Sequence, residues 1–152
     1  MRKAVIIGAL MSVSLFVLAS TASAADATAA EAKAMLEKAV SELKANEAAA
    51  LAKFNKADGG FRDRDLYVFC ANTTDGKFTA HANQALLGTD IKALKEKDGS
   101  PLGEKVYGAM KEGTISTVDY NFPRPGTTEP VAKQSFVTKV GNQGCGVGYY
   151  KS

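Results

Sequence analysis

Residues 65–94 read DLYVFCANTTDGKFTAHANQALLGTDIKAL, and this stretch decides the fold. Leu66-Tyr67-Val68-Phe69-Cys70 concentrates aromatic and β-branched side chains, the composition of a strand. Asn72 to Gly76 supplies turn chemistry ending in Asp75-Gly76, a strong short-range hairpin signal. Lys77 to Ala82 then reads as the returning strand. Gly88 to Lys111 is mixed. Asp90 caps a short helix through Lys95, Asp98-Gly99 breaks it, and Pro101 opens a second helix through Met110, ended by Gly113.

Upstream of the hairpin the period changes from two to about 3.6. Ala25 to Lys56 is rich in Ala, Glu, Lys and Leu, which are good helix formers. Thr28 with Glu31 matches a capping box, which satisfies orphan N–H groups at a helix start. Met35, Leu36, Ala39, Val40, Leu43, Ala50, Leu51 and Phe54 form one apolar stripe. One helix over residues 28–56 is therefore expected, stopped by Asp58-Gly59-Gly60. At about 28 residues it would be about 42 Å long, so its N-terminal end is expected to project from a small domain.

Downstream, Ile115 to Phe122 alternates as a strand with Ser116, Val118, Tyr120 and Phe122 on one face. Pro123-Arg124-Pro125-Gly126 is a loop, Val131 to Val140 a further strand, Gly141-Asn142 a tight turn and Gln143 to Tyr150 the last strand. Strands gathered in two clusters around a helical insert predict an α+β fold with a five-stranded antiparallel sheet packed on the long helix. Gly144, Gly146 and Gly148 alternate in the last strand, which predicts a bulge or the close approach of another backbone. Tyr149 and Tyr150 must point to opposite faces.

The chain starts with Arg2 and Lys3, an apolar run from Ala4 to Leu18, and the small residues Ala22-Ser23-Ala24. That tripartite order predicts a signal peptide over residues 1–24, cleaved near Ala24. The apolar run is shorter than the roughly 20 residues that span a bilayer. The remaining 25–152 form one domain of 128 residues, with 17 Lys/Arg against 16 Asp/Glu. A net charge of +1, with no basic stripe interleaved with aromatics, excludes a nucleic-acid footprint. The expected location is periplasmic or secreted. There Cys70 and Cys145 tend to pair as a disulfide, the alternative being two buried free thiols. One histidine and two distant cysteines make no metal-ligand set, and no cofactor motif is present.

The hairpin, with its entering Tyr and Phe, Asp-Gly turn, His and Asn at the end of the short strand and following L-x-G-x-D, resembles the single Cache domain, an extracytoplasmic PAS-like sensor fold. KDGSPLGEKVYGAMKEG is similar to that family's loop and following helix. VDYNFPRPGTTEPVAKQSFVTKVGNQGCGVGYY is similar to its closing three strands, with Tyr-x-Phe-Pro, Lys-x-Ser-Phe and a Gly-rich last strand. The resemblance runs from about Ala25 to Tyr150. It implies a module that binds or senses a small molecule, an organic acid or amino acid, and is not an enzyme. It also implies neighbouring first and last strands, which would bring Cys70 and Cys145 within disulfide reach. Only Lys151 and Ser152 follow Tyr150, so a signal is expected to pass to a separate, membrane-bound partner.

The resemblance places Lys133 where the family has its Lys-x-Ser, and a lone ammonium there suits a ligand carboxylate. A solvated lysine on a strand face is the alternative. Tyr67 and Tyr120 can present hydroxyls to the same ligand or serve as core aromatics. His81 reads as a pocket-edge contact or as a strand-end histidine bonded to backbone. Ser135 is a small polar contact, and Arg62 and Arg64 can steer anions or be solvated. The competing functional reading is a structural or interaction protein that has the Cache fold but no working pocket, pairing with a partner or a second copy through its N-terminal helix.

Overall fold

The computed structural model describes residues 26–151, so the leader expected over 1–24 and its cleavage site lie outside the described residues. Helix α1 spans Ala29–Ala45 and starts with the expected capping box: the Thr28 hydroxyl accepts from the Glu31 N–H, and the Glu31 carboxylate accepts from the Thr28 N–H. The single helix expected over 28–56 is interrupted at Asn46, and α2 spans Glu47–Lys56. Asn46 has extended backbone, donates its N–H to the Glu42 carbonyl to close α1, and accepts from the Ala49 N–H to open α2. Asparagine offers the backbone this alternative to the helix ladder, which alternation of apolar residues alone does not reveal. The bend removes the expected projection: Ala32, Leu36, Ala39 and Leu43 of α1 and Ala50 and Phe54 of α2 are all buried. The left-handed residue that ends α2 is Ala57, with φ 58°, rather than a glycine.

Six strands follow: β1 (Arg62–Asp63), β2 (Leu66–Asn72), β3 (Phe78–Ala80), β4 (Ser116–Pro123), β5 (Pro130–Val140) and β6 (Gln143–Tyr150). All pairs are antiparallel. The order is β3–β2–β6–β5–β4, with the two-residue β1 also pairing along β2, so the expected five strands gain one short piece. The first and last long strands are neighbours, and Cys70 lies directly opposite Cys145 in their register. The two are joined by a disulfide.

β2 is buried on both faces, so its alternation sorts residues between two cores instead of between core and solvent. Leu66, Val68 and Cys70 face the helices α1 and α2, together with Phe61, Cys145 and Val147. Tyr67, Phe69 and Ala71 face the other side, with Phe78, Ile91, Val118, Tyr120 and Val137. That second core is closed by the insert between β3 and β4. Gln84–Leu86 and Ile91–Ala93 are single 3-10 turns, the latter capped by Asp90 as expected but ending before Lys95. Helix α3 covers Leu102–Ala109. α3 lies so close to the second turn that a Cβ on Gly103 would sit 1.7 Å from the Ile91 carbonyl oxygen. Among the described residues no helix is long and apolar enough to cross a membrane.

Candidate functional site

The sheet face opposite α1 and α2 carries the polar residues singled out from the sequence. β5 alternates so that Lys133, Ser135 and Val137 are buried on this face. β4 contributes Val118, Tyr120 and Phe122, and β2 contributes Tyr67 and Phe69. On β6 this face is Gly144, Gly146 and Gly148, then Tyr150. The glycines make room mainly for side chains; the expected close backbone is present at Gly146, where the Phe136 carbonyl oxygen would lie 2.9 Å from a Cβ, and the β5–β6 register runs on with no bulge. A Cβ on Gly148 would lie 2.3 Å from Ser135 Oγ and 2.4 Å from Lys133 Cε, and one on Gly146 would lie 2.5 Å from Phe69 Cζ.

Two cavities meet on this face. An inner one of about 20 Å³ is lined by apolar side chains, among them Phe69, Phe78, Ile91 and Val106, with Tyr120 at its wall. It has room for one water-sized group. An outer one of about 500 Å³ is lined by Arg62, Asn83 and the loop Pro123–Thr127. Tyr67, His81 and Phe122 line both and mark the junction.

Two of these lining side chains, Tyr67 and His81, can donate hydrogen bonds. Lys133 Nζ donates to the Tyr67 phenol oxygen at 3.0 Å, and the phenol's own proton faces the Tyr150 oxygen, whose hydroxyl donates to the Pro123 carbonyl, so a ligand acceptor would compete with Tyr150 for it. His81 Nδ1 accepts from the Asn83 N–H at 2.9 Å, so the neutral ring carries its proton on Nε2. Burial, with the positive charges of Lys133 and Arg62, pushes the His81 pKa down to about 3. The backbone around His81 is clamped from α2: its N–H donates to Asn55 Oδ1 at 3.2 Å, and Asn55 Nδ2 donates to the Thr79 carbonyl at 2.8 Å.

Lys133 is 1% exposed. Its ammonium nitrogen lies 4.3, 4.8 and 5.5 Å from the ring centres of Tyr67, Tyr150 and Phe122. The aromatic faces favour the cation. Burial nonetheless lowers its pKa to about 7, against a smaller opposing influence of Asp65. Lys133 lines neither cavity at the junction; its ammonium is buried behind Tyr67 and bonded to that phenol. Ser135 also stands back, sharing a 2.7 Å hydrogen bond with the Tyr120 hydroxyl. Burial raises the pKa of Tyr67 and Tyr120, so both remain neutral phenols.

The two arginines separate. Arg62 lines the outer cavity and has no ion-pair partner among the described residues. Arg64 is held away by Glu31 at 2.6 Å and Asp63 at 3.0 Å. Sequence reasoning missed Arg124, which also lines the outer cavity, stacks over the Tyr150 ring at 4.6 Å and grips Asp26 with both guanidinium NH groups at 2.8 and 2.9 Å. Its partners lie 98 and 59 residues away in the chain, and no local pattern signals such a pairing. Tyr150 points into this face as one of the expected pair, donating to the Pro123 carbonyl at 2.6 Å, while Tyr149 lies on the other face against Phe136.

Comparison with known proteins agrees with this fold. A methyl-accepting chemotaxis protein from Vibrio parahaemolyticus superposes with a TM-score of 0.65 at 20% identity, covering 80% of this chain and 86% of that one. The periplasmic sensor domain of a chemotaxis protein gives 0.60 at 24% identity, over 81% and 90%. A Cache chemosensory domain described for its carboxylic acid recognition gives 0.62 at 23% identity, over 81% and 88%. In sequence, the methyl-accepting chemotaxis protein McpP of Pseudomonas putida is 33% identical over 76 residues, which is 49% of this chain and only 14% of that protein. The Cache domain profile matches residues 26–148. A profile that spans the domain from the cap of α1 to the last strand settles the family: this chain belongs to the Cache domains.

Proposed function

We propose that this protein is an extracytoplasmic binding or sensing module for small organic acids that passes its signal to a separate membrane-bound partner. The observation that carries the reading is the junction of the two cavities, where Tyr67 and His81, both neutral and both able to donate a hydrogen bond, line an apolar recess. A carboxylate accepts hydrogen bonds and donates none, so it matches a pair of donors. The ammonium of Lys133 behind Tyr67 and the unpaired Arg62 at the outer cavity add the positive field an anion needs. The inner recess accepts one methyl-sized group, which points to acids of two or three carbons such as acetate and propionate. The Cys70–Cys145 disulfide supports the location, because such bonds persist in oxidising compartments.

Isothermal titration with acetate, propionate and a panel of amino acids tests this. Saturable binding of a short acid, weakened at least tenfold by Tyr67→Phe, is the expected result; no binding by any member would overturn it. The smallness of the inner cavity favours one competing reading, a Cache fold kept for interaction alone. That reading predicts no acid binding together with concentration-dependent association through α1.

A further inference from the structure

We propose that a carboxylate binds at the Tyr67–His81 junction and that, above neutral pH, its binding is coupled to uptake of a proton by Lys133. The inference rests on the proposed function and adds its charge balance. Lys133 Nζ is buried, has one hydrogen bond, and that bond goes to a neutral phenol. Among the described residues it makes no ion pair. A buried ammonium without a counter-charge is costly, so the amine and ammonium forms compete.

The groups around Lys133 leave that deficit in place. β2, β4 and β6 present the neutral phenols of Tyr67, Tyr120 and Tyr150, all with raised pKa values. The segment after β3 presents His81, which is held neutral. Arg62 of β1 and Arg124 of the loop after β4 are positive. Asp65, ahead of β2, is the acid that favours the ammonium, but its carboxylate is already shared between Arg124 at 3.1 Å and the Ala27 N–H at 3.2 Å. A carboxylate seated on the Tyr67 phenol supplies the missing negative charge one hydrogen bond away from Nζ. The balance is simple: the amine lone pair takes a proton from solvent or buffer, and the bound state is a carboxylate facing an ammonium through a phenol.

In the free protein the Lys133 pKa stands at about 7, and a bound anion can only raise it. Above pH 7 the free amine is mostly neutral and binding must charge it. Affinity therefore falls as pH rises. Uptake is therefore large at pH 8, where the free amine is mostly neutral, and small at pH 6, where it is already charged, and Kd weakens severalfold from pH 7 to 8.5.

The test is titration calorimetry of the protein with propionate at pH 6 in phosphate and in Mes and at pH 8 in phosphate and in Tris, each pair differing in ionisation enthalpy. The expected result is a strong buffer dependence of the observed enthalpy at pH 8, nearly absent at pH 6. In Lys133→Met, which keeps the side-chain volume, the residual binding should lose its buffer dependence. Saturable propionate binding with a buffer-independent enthalpy at pH 8 overturns the proton uptake and leaves the acid-binding role standing. Undiminished uptake in Lys133→Met also overturns it. Failure of propionate and of every other acid to bind at either pH overturns the acid-binding role itself.

Discussion

Replacing Lys133 by methionine should make the unliganded protein more stable, and the size of the gain can be worked from its surroundings. In an unfolded chain the lysine titrates at its ordinary value of 10.5, whereas in the fold burial lowers it to about 7. A depressed lysine pKa means that the folded state binds fewer protons, so the group weakens the fold as pH falls from 10.5 towards 7. At about 1.4 kcal/mol per unit, the penalty at pH 7 is about 4 kcal/mol. Methionine fills a similar volume and removes this penalty. The substitution also leaves the Tyr67 phenol without its ammonium donor, which returns about 1 kcal/mol. The net gain is about 3 kcal/mol at pH 7. At pH 9 the penalty has shrunk to about 2 kcal/mol, so the gain should fall to about 1. Urea unfolding of both proteins at the two pH values, with the disulfide intact, measures this directly. A Lys133→Met protein less stable than the wild type at pH 7, or a gain that does not shrink by pH 9, would refute the reasoning.

Three further outcomes follow from the geometry. Replacing both Cys70 and Cys145 by serine opens a cross-link between residues 75 apart and should lower stability by about 2–5 kcal/mol, read as a lower urea midpoint. His81 has a folded pKa of about 3, so its neutral form supports the fold above pH 6.5, and that support should drain at about 1.4 kcal/mol per pH unit as pH falls towards 3; His81→Gln should flatten this acid limb in thermal melts taken between pH 7 and 4. Gly148→Ala places a methyl within 2.4 Å of both Ser135 Oγ and Lys133 Cε, so it should cost about 1–3 kcal/mol and weaken propionate binding even where the protein remains folded, measurable by melting and calorimetry in parallel.

Much of this architecture is local in origin and was legible in the chain. The strands read over Leu66–Cys70 and Ile115–Phe122, the Asp75-Gly76 and Gly141-Asn142 turns and the Thr28–Glu31 capping box each depend on neighbours a few residues apart, and each forms, the strands as Leu66–Asn72 and Ser116–Pro123. The resemblance carried by the hairpin and by Lys-x-Ser-Phe set the strand order and with it the Cys70–Cys145 pairing. The break at Asn46 is not legible in periodicity, because an apolar stripe continues smoothly across it, while the side chain's bond to the Ala49 N–H, which breaks the helix, has no periodic signature.

The residue types at the pocket were determined by the sequence alone: a single histidine, a lysine and tyrosines at alternating positions, and glycines at every second place in the last strand. Only the tertiary structure decided what they do. It put Tyr67 at the junction and Lys133 behind it, gave Ser135 to Tyr120, sent Arg64 to Glu31 and drew Arg124 across to Asp26. The reason is that a side chain's charge state and its reach to a ligand depend on burial and on partners distant in sequence, and spacing along one strand encodes neither.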